Sequence, residues 1–550
     1  MSDDTELPPE VIDLSERRKQ KQARRKITPV STDPSLPLIR VIPGEIPRAT
    51  DEAEQVLLRS NIKMYQRGKQ VVKLDWMKMP TAGGGEVDTL NIVTVDEAYL
   101  FEAFSRVARF EKFDARAGGY VLSDCPDKIA KTYASSARER KLPVLLGVVH
   151  APTFRPDGSL IDIPGYDPVT RLVYQPFNEK FPAIPDKPTK EQAKHALARL
   201  RKLICRYKFE KRADRAVALS LLLTALVRAV VPCVPLHAID ATAPGSGKSK
   251  LVNMACVLAT GREAGIIGPS DDRDASAELD KQLGTRAMAG DPVIAMDNLT
   301  APLNSALACK MVSESRVMIR VLGHSKDVEI PNTSLITVTG NGLRIEGDLT
   351  RRTLVARIDT KVERPELREF DFEPVELAKL NRPQLVTDVL TIIRAYRLAA
   401  DKVVHNASFR TLGGFEAWSA MVREPLVWLG EDDPCATMER TRCRDIKRVE
   451  ALEVVDSWRN VLGINTRVPV RKVIEAAGVF GDGDHDLREA LLAVARVGAG
   501  VKEEISAKRL GNWLATHEGR VFPGDDGHQY RFMRDGERAH TLYWILEKIA

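Results

Sequence analysis

What the chain lacks narrows it first. Its seven cysteines (Cys125, Cys205, Cys233, Cys256, Cys309, Cys435 and Cys443) are scattered, and none forms a C-x-x-C pair. Neither a disulfide framework nor a zinc ribbon is indicated, which fits a reducing compartment. Long hydrophobic runs are missing too. The most apolar stretch, Ala216 to Val231, holds Arg228 and is too short to span a bilayer, so it reads as a buried helix. No signal peptide opens the chain and no internal repeat is visible, so a cytoplasmic protein with no membrane partner is expected. Nor is there a strong charge of one sign. The formal net charge is +6, with a pI of about 8.8. That permits a nucleic-acid partner without demanding one.

What is present describes a globular protein of several units. The chain has 550 residues, 43% apolar and 29% charged, too long for one core. Residues 1–40 are polar and aperiodic. Seven of the ten residues from Arg17 to Lys26 are Lys or Arg, which fits either a solvated tail or an arm touching nucleic acid. Residues 41–185 mix helical and β-rich patterns and are expected to form an α+β domain. Within it, Arg155–Tyr174 carries two turn signals between short β-prone runs, which predicts hairpins. Residues 186–235 are expected to hold two helices, Thr189–Phe209 and about Arg212–Val230. Alternating strands and helices follow over 236–365. Residues 366–465 read as helical, and 466–550 as helices followed by β-prone segments.

Chemistry concentrates in the fourth of these regions. Val234–Asp240 reads as a strand, Pro244-Gly245-Ser246-Gly247 as a bend, and Lys248–Thr260 as a helix. This is the layout of a phosphate loop: glycines turn backbone N–H groups toward phosphates and a helix N-terminus adds its positive dipole end. ATP would then be held by residues 244–250, with Lys248 on the β- and γ-phosphates, Lys250 at the loop's end and the Ser249 hydroxyl on Mg²⁺. Thr242 stands where such loops usually begin with glycine. It is tolerable there if its φ stays negative.

Two further strands follow. Val293–Met296 runs into Asp297, a carboxylate positioned to act on Mg²⁺. Ser334–Thr339 runs to Asn341, whose amide is placed to orient the attacking water. Arg351 and Arg352 come after a short turn and suit a finger into a neighbouring subunit's site. Asn298, after Asp297, cannot take a proton, so a general base has to lie elsewhere. Glu278 is the candidate, with a solvated position on a helix face as its plain alternative.

Loop, Asp-bearing strand, Asn-bearing strand and arginine pair, in that order, resemble the superfamily 3 helicases of the AAA+ class. The chain is similar in particular to the replication helicase-ATPases of prophages and plasmids that occur with primase domains. Arg155–Tyr174 and Phe415–Pro434 share that likeness, which covers most of residues 40–550. The resemblance implies an AAA+-like P-loop ATPase core, a homohexameric ring, ATP hydrolysis with Mg²⁺, and movement along single-stranded or forked DNA. It also implies that the hairpin signalled by Ser315–Asn332 enters the ring's pore, with His324 and Lys326 at its tip and Arg320 in its arm. A plain surface hairpin is the alternative.

The tail beyond residue 465 has the element order of a winged helix. Lys508, Arg509 and Arg520 would then face DNA phosphates, although such modules also serve as packing units. Two functions stay open: a ring helicase, or a nucleotide-switched replication initiator or loader that does not unwind. A small-molecule kinase fits less well, since it would leave the arginine pair unexplained.

Overall fold

In the computed structural model the residues described are 33–549, apart from 81–85, 136–138, 178, 269–274, 321–326, 363, 368–370, 405–408, 444, 479–482, 499–503 and 539–540. The chain divides into two compact units, Met1–Val144 and Leu145–Ala550.

The first unit runs β1 (Leu38–Val41), α1 (Ile46–Arg59), β2 (Tyr65–Arg67), β3 (Gln70–Pro80), β4 (Glu86–Thr94), α2 (Glu97–Val107), β5 (Arg109–Asp114), β6 (Gly119–Ser123) and α3 (Asp127–Ala134). It holds two three-stranded sheets, β1-β5-β6 and β2-β3-β4. Alternation decides how the first is covered. Ile39 and Phe110 point inward and join Ala53, Leu57, Phe104, Ile129 and Tyr133 from the three helices in one core.

The second unit opens with β7 (Gly147–Val149) and two hairpins, β8 (Thr153–Phe154) with β9 (Leu160–Ile161) and β10 (Gly165–Asp167) with β11 (Leu172–Tyr174). The first turns where expected, whereas the second turns over 168–171, because Gly165–Asp167, expected as its turn, forms β10. Two helices follow, α4 (Lys190–Leu203) and α5 (Arg212–Val227). The first ends six residues before the Phe209 boundary that its sequence suggests. Beyond Leu203 the chain turns away, so that Phe209 bridges to Ile358 and Tyr207 reaches the loop described below. The apolar run is a buried helix, as expected. Every residue of α5 from Ala216 to Val227 is buried, and Arg228, after it, donates to the carbonyls of Val231, Asn332 and Ser334. A buried guanidinium is tolerated when its protons are matched in this way.

The central sheet is built next. Its strands are β12 (Leu236–Ala241), β13 (Gly265–Ile267), β14 (Val293–Leu299), β17 (Leu335–Asn341) and β18 (Thr353–Ile358), interspersed with α6 (Lys248–Thr260), α7 (Ala275–Ala289), α8 (Ala306–Ser313) and the hairpin β15 (Arg316–Arg320) with β16 (Asp327–Pro331). The five strands are all parallel, in the order β13-β14-β17-β12-β18. Their near-continuous apolar sequences match burial on both faces. One face packs on α5, α6 and α10 (Arg382–Ala399), and the other on α7, α8 and the β15–β16 hairpin. Arg382 caps the far end of α6, donating to the carbonyls of Val257 and Leu258 at 2.7 and 3.1 Å.

The remainder is helical and then β-rich: α11 (Ala436–Cys443), α12 (Ile446–Leu462), β19 (Val468–Pro469), α13 (Val470–Ala477), α14 (His485–Ala495), β20 (Arg496–Val497), β21 (Glu504–Ile505), α15 (Ala507–His517), β22 (Val521–Pro523), β23 (Gln529–Arg538) and β24 (Thr541–Lys548). The last elements share a core centred on Trp458, Leu491, Leu510, Phe532 and Trp544. Among the described residues, no helix is long and apolar enough to cross a membrane.

Candidate functional site

Parallel α/β sheets bind ligands beyond the carboxyl ends of their strands, and the candidate residues meet at that edge. The loop after β12 reaches α6 through Gly245 (φ 70°) and Gly247 (φ 88°), both left-handed and open to glycine at little cost. Thr242 is not among the residues of positive φ, so its β-branched side chain is unstrained. Gly247 caps α6 without a side-chain bond, and the first turn of that helix carries no acidic residue. Its free N–H groups and dipole therefore face outward with no internal anion to satisfy them.

Lys248 is 8% exposed. Its ammonium donates to Asn341 Oδ1 at 2.7 Å, at the carboxyl end of β17, and lies 3.3 Å from Ser246 Oγ. Burial pulls its pKa down, against the opposing pull of the nearby Asp240 and Asp297 carboxylates. Beside it, Ser249 Oγ donates to Asp297 Oδ1 at 2.7 Å. The same carboxylate oxygen accepts from Thr339 Oγ1. Lys248, Ser249, Asp297 and Asn341 are thus brought together from the start of α6 and from the strands β14 and β17. Lys250 pairs with Glu373 at 2.5 Å and lines the cleft beside the loop.

Asp297 is aimed by a bulge. The β14–β17 register shifts between Met296 and Leu299, and Asn298 adopts a left-handed φ of 54°. Its N–H donates to Thr339 Oγ1 at 3.0 Å while its side chain faces solvent. Asparagine is among the few non-glycine residues that take this conformation readily, so a backbone reason accounts for the amide here. Gly340 lies opposite. A Cβ there would sit 2.6 Å from the Leu299 carbonyl oxygen, so the close approach of β17 to the bulge requires glycine.

Three contributors were missed by the sequence reading. Thr339 could have been found, since it lies two residues before Asn341 and so on the same face of β17. Asp240 fixes the turn after Asn341 by accepting from the Leu343 N–H at 3.0 Å. Tyr207, from the segment after α4, donates to the Gly247 carbonyl at 3.1 Å, and a Cβ on that glycine would meet its ring at 3.3 Å. Nothing local in the sequence announces either of the last two. Tyr207 also walls a cleft of about 500 Å³, counted to its open mouth, with Leu203, Gly245, Phe372 and Pro374.

The other candidates stand apart. Glu278 pairs with Lys281 on its own helix at 3.1 Å, in the first turn of α7. Arg351 and Arg352 immediately precede β18, and the Arg352 carbonyl accepts from the Leu236 N–H, at the amino edge of the sheet. The six residues of β18 put the pair roughly 20 Å from the loop edge. Both arginines engage Asp348. Arg352, 17% exposed, also reaches Ser313 and the Cys309 carbonyl, whereas the Arg351 side chain is 61% exposed. Arg320 ends β15 and is exposed. His324 and Lys326 lie outside the described residues. Lys508 and Arg509 are exposed at the start of α15, with Arg509 donating to the Arg496 carbonyl, and Arg520 lies 5.4 Å over the Phe522 ring. Among the described residues, no group of three His, Cys, Asp or Glu side chains is placed to hold a metal ion by itself.

No protein-family profile matches the chain, and no curated protein sequence matches it. Solved structures to which it is similar include "The A form apo structure of NrS-1 C terminal region-CTR(305-718)". That likeness has 14% identity over 90% of this chain and 98% of that one, with a TM-score of 0.35. A second structure of the NrS-1 C-terminal region gives 14% identity over 82% and 97%, with a TM-score of 0.32. A structure titled "SCCmec type IV Cch - active helicase" gives 12% identity over 89% and 94%, with a TM-score of 0.32. Likenesses this distant decide nothing about activity.

Proposed function

We propose that this chain is an ATP-dependent DNA helicase or translocase of the superfamily 3, AAA+ type, acting in the replication of a phage, prophage or plasmid. The observation that carries the reading is the convergence of Lys248, Ser249, Asp297 and Asn341 at one end of a parallel sheet, around an uncapped helix N-terminus. The loop N–H groups and Lys248 bind the phosphates, and the apolar cleft beside Tyr207 receives the base. The Ser249 hydroxyl and Asp297 carboxylate, hydrogen-bonded and partly buried, fit Mg²⁺, which takes one or two protein oxygens and keeps several waters. Bound there, Mg²⁺ supplies charge neutralisation at the β- and γ-phosphates. Asn341, released from Lys248 by the phosphate, orients the water.

The arginine pair supports assembly. It stands at the wrong edge of the sheet for its own loop, so it serves ATP only if a second copy brings its loop edge to this face. A homohexameric ring meets that need, and Arg351 is the freer of the two. In the same reading the elements α13, α14, α15 and β22–β24 form a winged-helix-like module that presents Lys508, Arg509 and Arg520 to DNA. Arg320, His324 and Lys326 grip the strand in the pore, and a primase acts alongside.

A second reading is favoured by Asn298, an amide where a second carboxylate would activate water: a nucleotide-switched initiator or loader that binds DNA but does not unwind it. Unwinding of a forked duplex separates the two. Strand separation that needs ATP and Mg²⁺ and disappears with Asp297→Ala supports the helicase. Nucleotide-dependent DNA binding without strand separation gives the initiator.

A further inference from the structure

The first unit carries a surface that the nucleotide site does not use. One face of sheet β1-β5-β6 packs on α1–α3, and the other is open. The open face is aromatic where a solvated sheet face would be polar. Phe113 is 53% and Tyr120 38% exposed, and they are cross-strand partners with ring centroids 5.7 Å apart. Leu38 and Leu122 flank them at 43% and 41%. The Arg40 guanidinium lies 4.4 Å over the Tyr120 ring and pairs with Glu111 at 3.2 Å. Arg109 lies on the same face by register, with its guanidinium donating to the Leu36 carbonyl at 3.2 Å and the Asp33 carboxylate close by.

We propose that this face is a stacking platform for single-stranded nucleic acid. Exposed rings and a guanidinium plane on an open sheet accept bases, whose π-faces are all similar, while arginine draws the phosphates. A protein partner would be expected to bring a contiguous aliphatic patch to such a face; here each leucine stands at the edge of an aromatic–arginine cluster. The inference stands apart from the ATPase reading, since all its residues belong to the first unit and the loop to the second.

The test uses the full-length protein without nucleotide and an oligo-dT carrying 5-iodouracil, with oligo-U as the RNA arm. Photo-crosslinks are expected in the peptides that hold Phe113 or Tyr120. Phe113→Ala and Tyr120→Ala should each weaken oligonucleotide binding about 10-fold or more, and Tyr120→Phe, which keeps the ring, should not. Circular dichroism checks that each variant folds, and basal ATP hydrolysis should be unchanged in all three. Crosslinks confined to other peptides, with affinities of the alanine variants within about two-fold of wild type, would overturn the proposal. The same negative result accompanied by loss of self-association would reassign the face to a second copy of the chain. Lys248→Ala keeps the two readings distinguishable: it should abolish hydrolysis and leave the crosslinks in place.

Discussion

The ammonium of Lys248 and the side-chain oxygen of Asn341, ninety-three residues apart in the chain, are hydrogen-bonded at 2.7 Å. The contact holds a buried cation where an anion is to arrive, and it has to give way when phosphate binds. Asn341→Asp would turn it into an ion pair, which holds the ammonium more strongly than a neutral amide oxygen does. Nucleotide binding should then weaken about 10-fold or more. Asn341→Ala should leave affinity nearer wild type while slowing hydrolysis about 100-fold. Fluorescent-nucleotide titration and a phosphate-release assay separate the two effects.

The bulge at Asp297-Asn298 yields a conformational prediction. Asn298→Gly should fold and bind nucleotide as wild type does, because glycine accepts φ 54° freely. Asn298→Val should cost about 1–3 kcal/mol and misplace Asp297. Gly340→Ala should also destabilise, by about 1–3 kcal/mol, since its methyl meets the Leu299 carbonyl oxygen and the Leu343 side chain. Urea midpoints and the Mg²⁺ concentration dependence of hydrolysis report both.

These details mark what was legible in the sequence. Three of the five strands of the sheet, β12, β14 and β17, stand out as apolar runs, the last two leading to Asp297 and Asn341, and the helix after Lys248 follows from its apolar pattern; β13 and β18 carry no such mark. The bulge was not legible: the sequence shows an asparagine but not its backbone angle. Nor was the early end of α4. Residues 204–209 continue a helical pattern, and the docking of Tyr207 on Gly247 together with the bridge of Phe209 to Ile358 pulls them out of it. Tertiary contacts overrode local propensity there.

Acid should destabilise the sheet-bearing unit before its carboxylates titrate. His237, wholly buried in β12, is held neutral by burial and its pKa falls to about 3; His150, buried likewise, falls to about 4. In the unfolded chain both protonate near 6.5. Their contribution is therefore complete above pH 6.5 and is lost as the pH drops toward the folded values. By pH 5.5 the loss should be about 3 kcal/mol for the two together. Trp418, whose ring centroid is 6.4 Å from that of His237, reports unfolding by fluorescence. His237→Gln should remove about half of the fall in the urea midpoint between pH 7 and 5.5, leaving the share of His150.

The two arginines before β18 should behave differently. Arg351 is largely exposed, so Arg351→Ala should change stability by no more than about 1 kcal/mol. Its effect should fall on hydrolysis, about 1000-fold, and only where the protein is assembled. Arg352→Ala should also unfold more easily, because it removes contacts to Ser313, Cys309 and Asp348. Mixing Arg351→Ala with Lys248→Ala protein should restore part of the activity, since each copy then supplies what the other lacks.

The most direct test of the central claim is the rate of ATP hydrolysis with and without single-stranded DNA, in wild type and Lys248→Ala. The account predicts hydrolysis that rises several-fold with DNA and disappears in the variant. Tight ATP binding with no DNA-stimulated turnover, or turnover that survives Lys248→Ala, would contradict it.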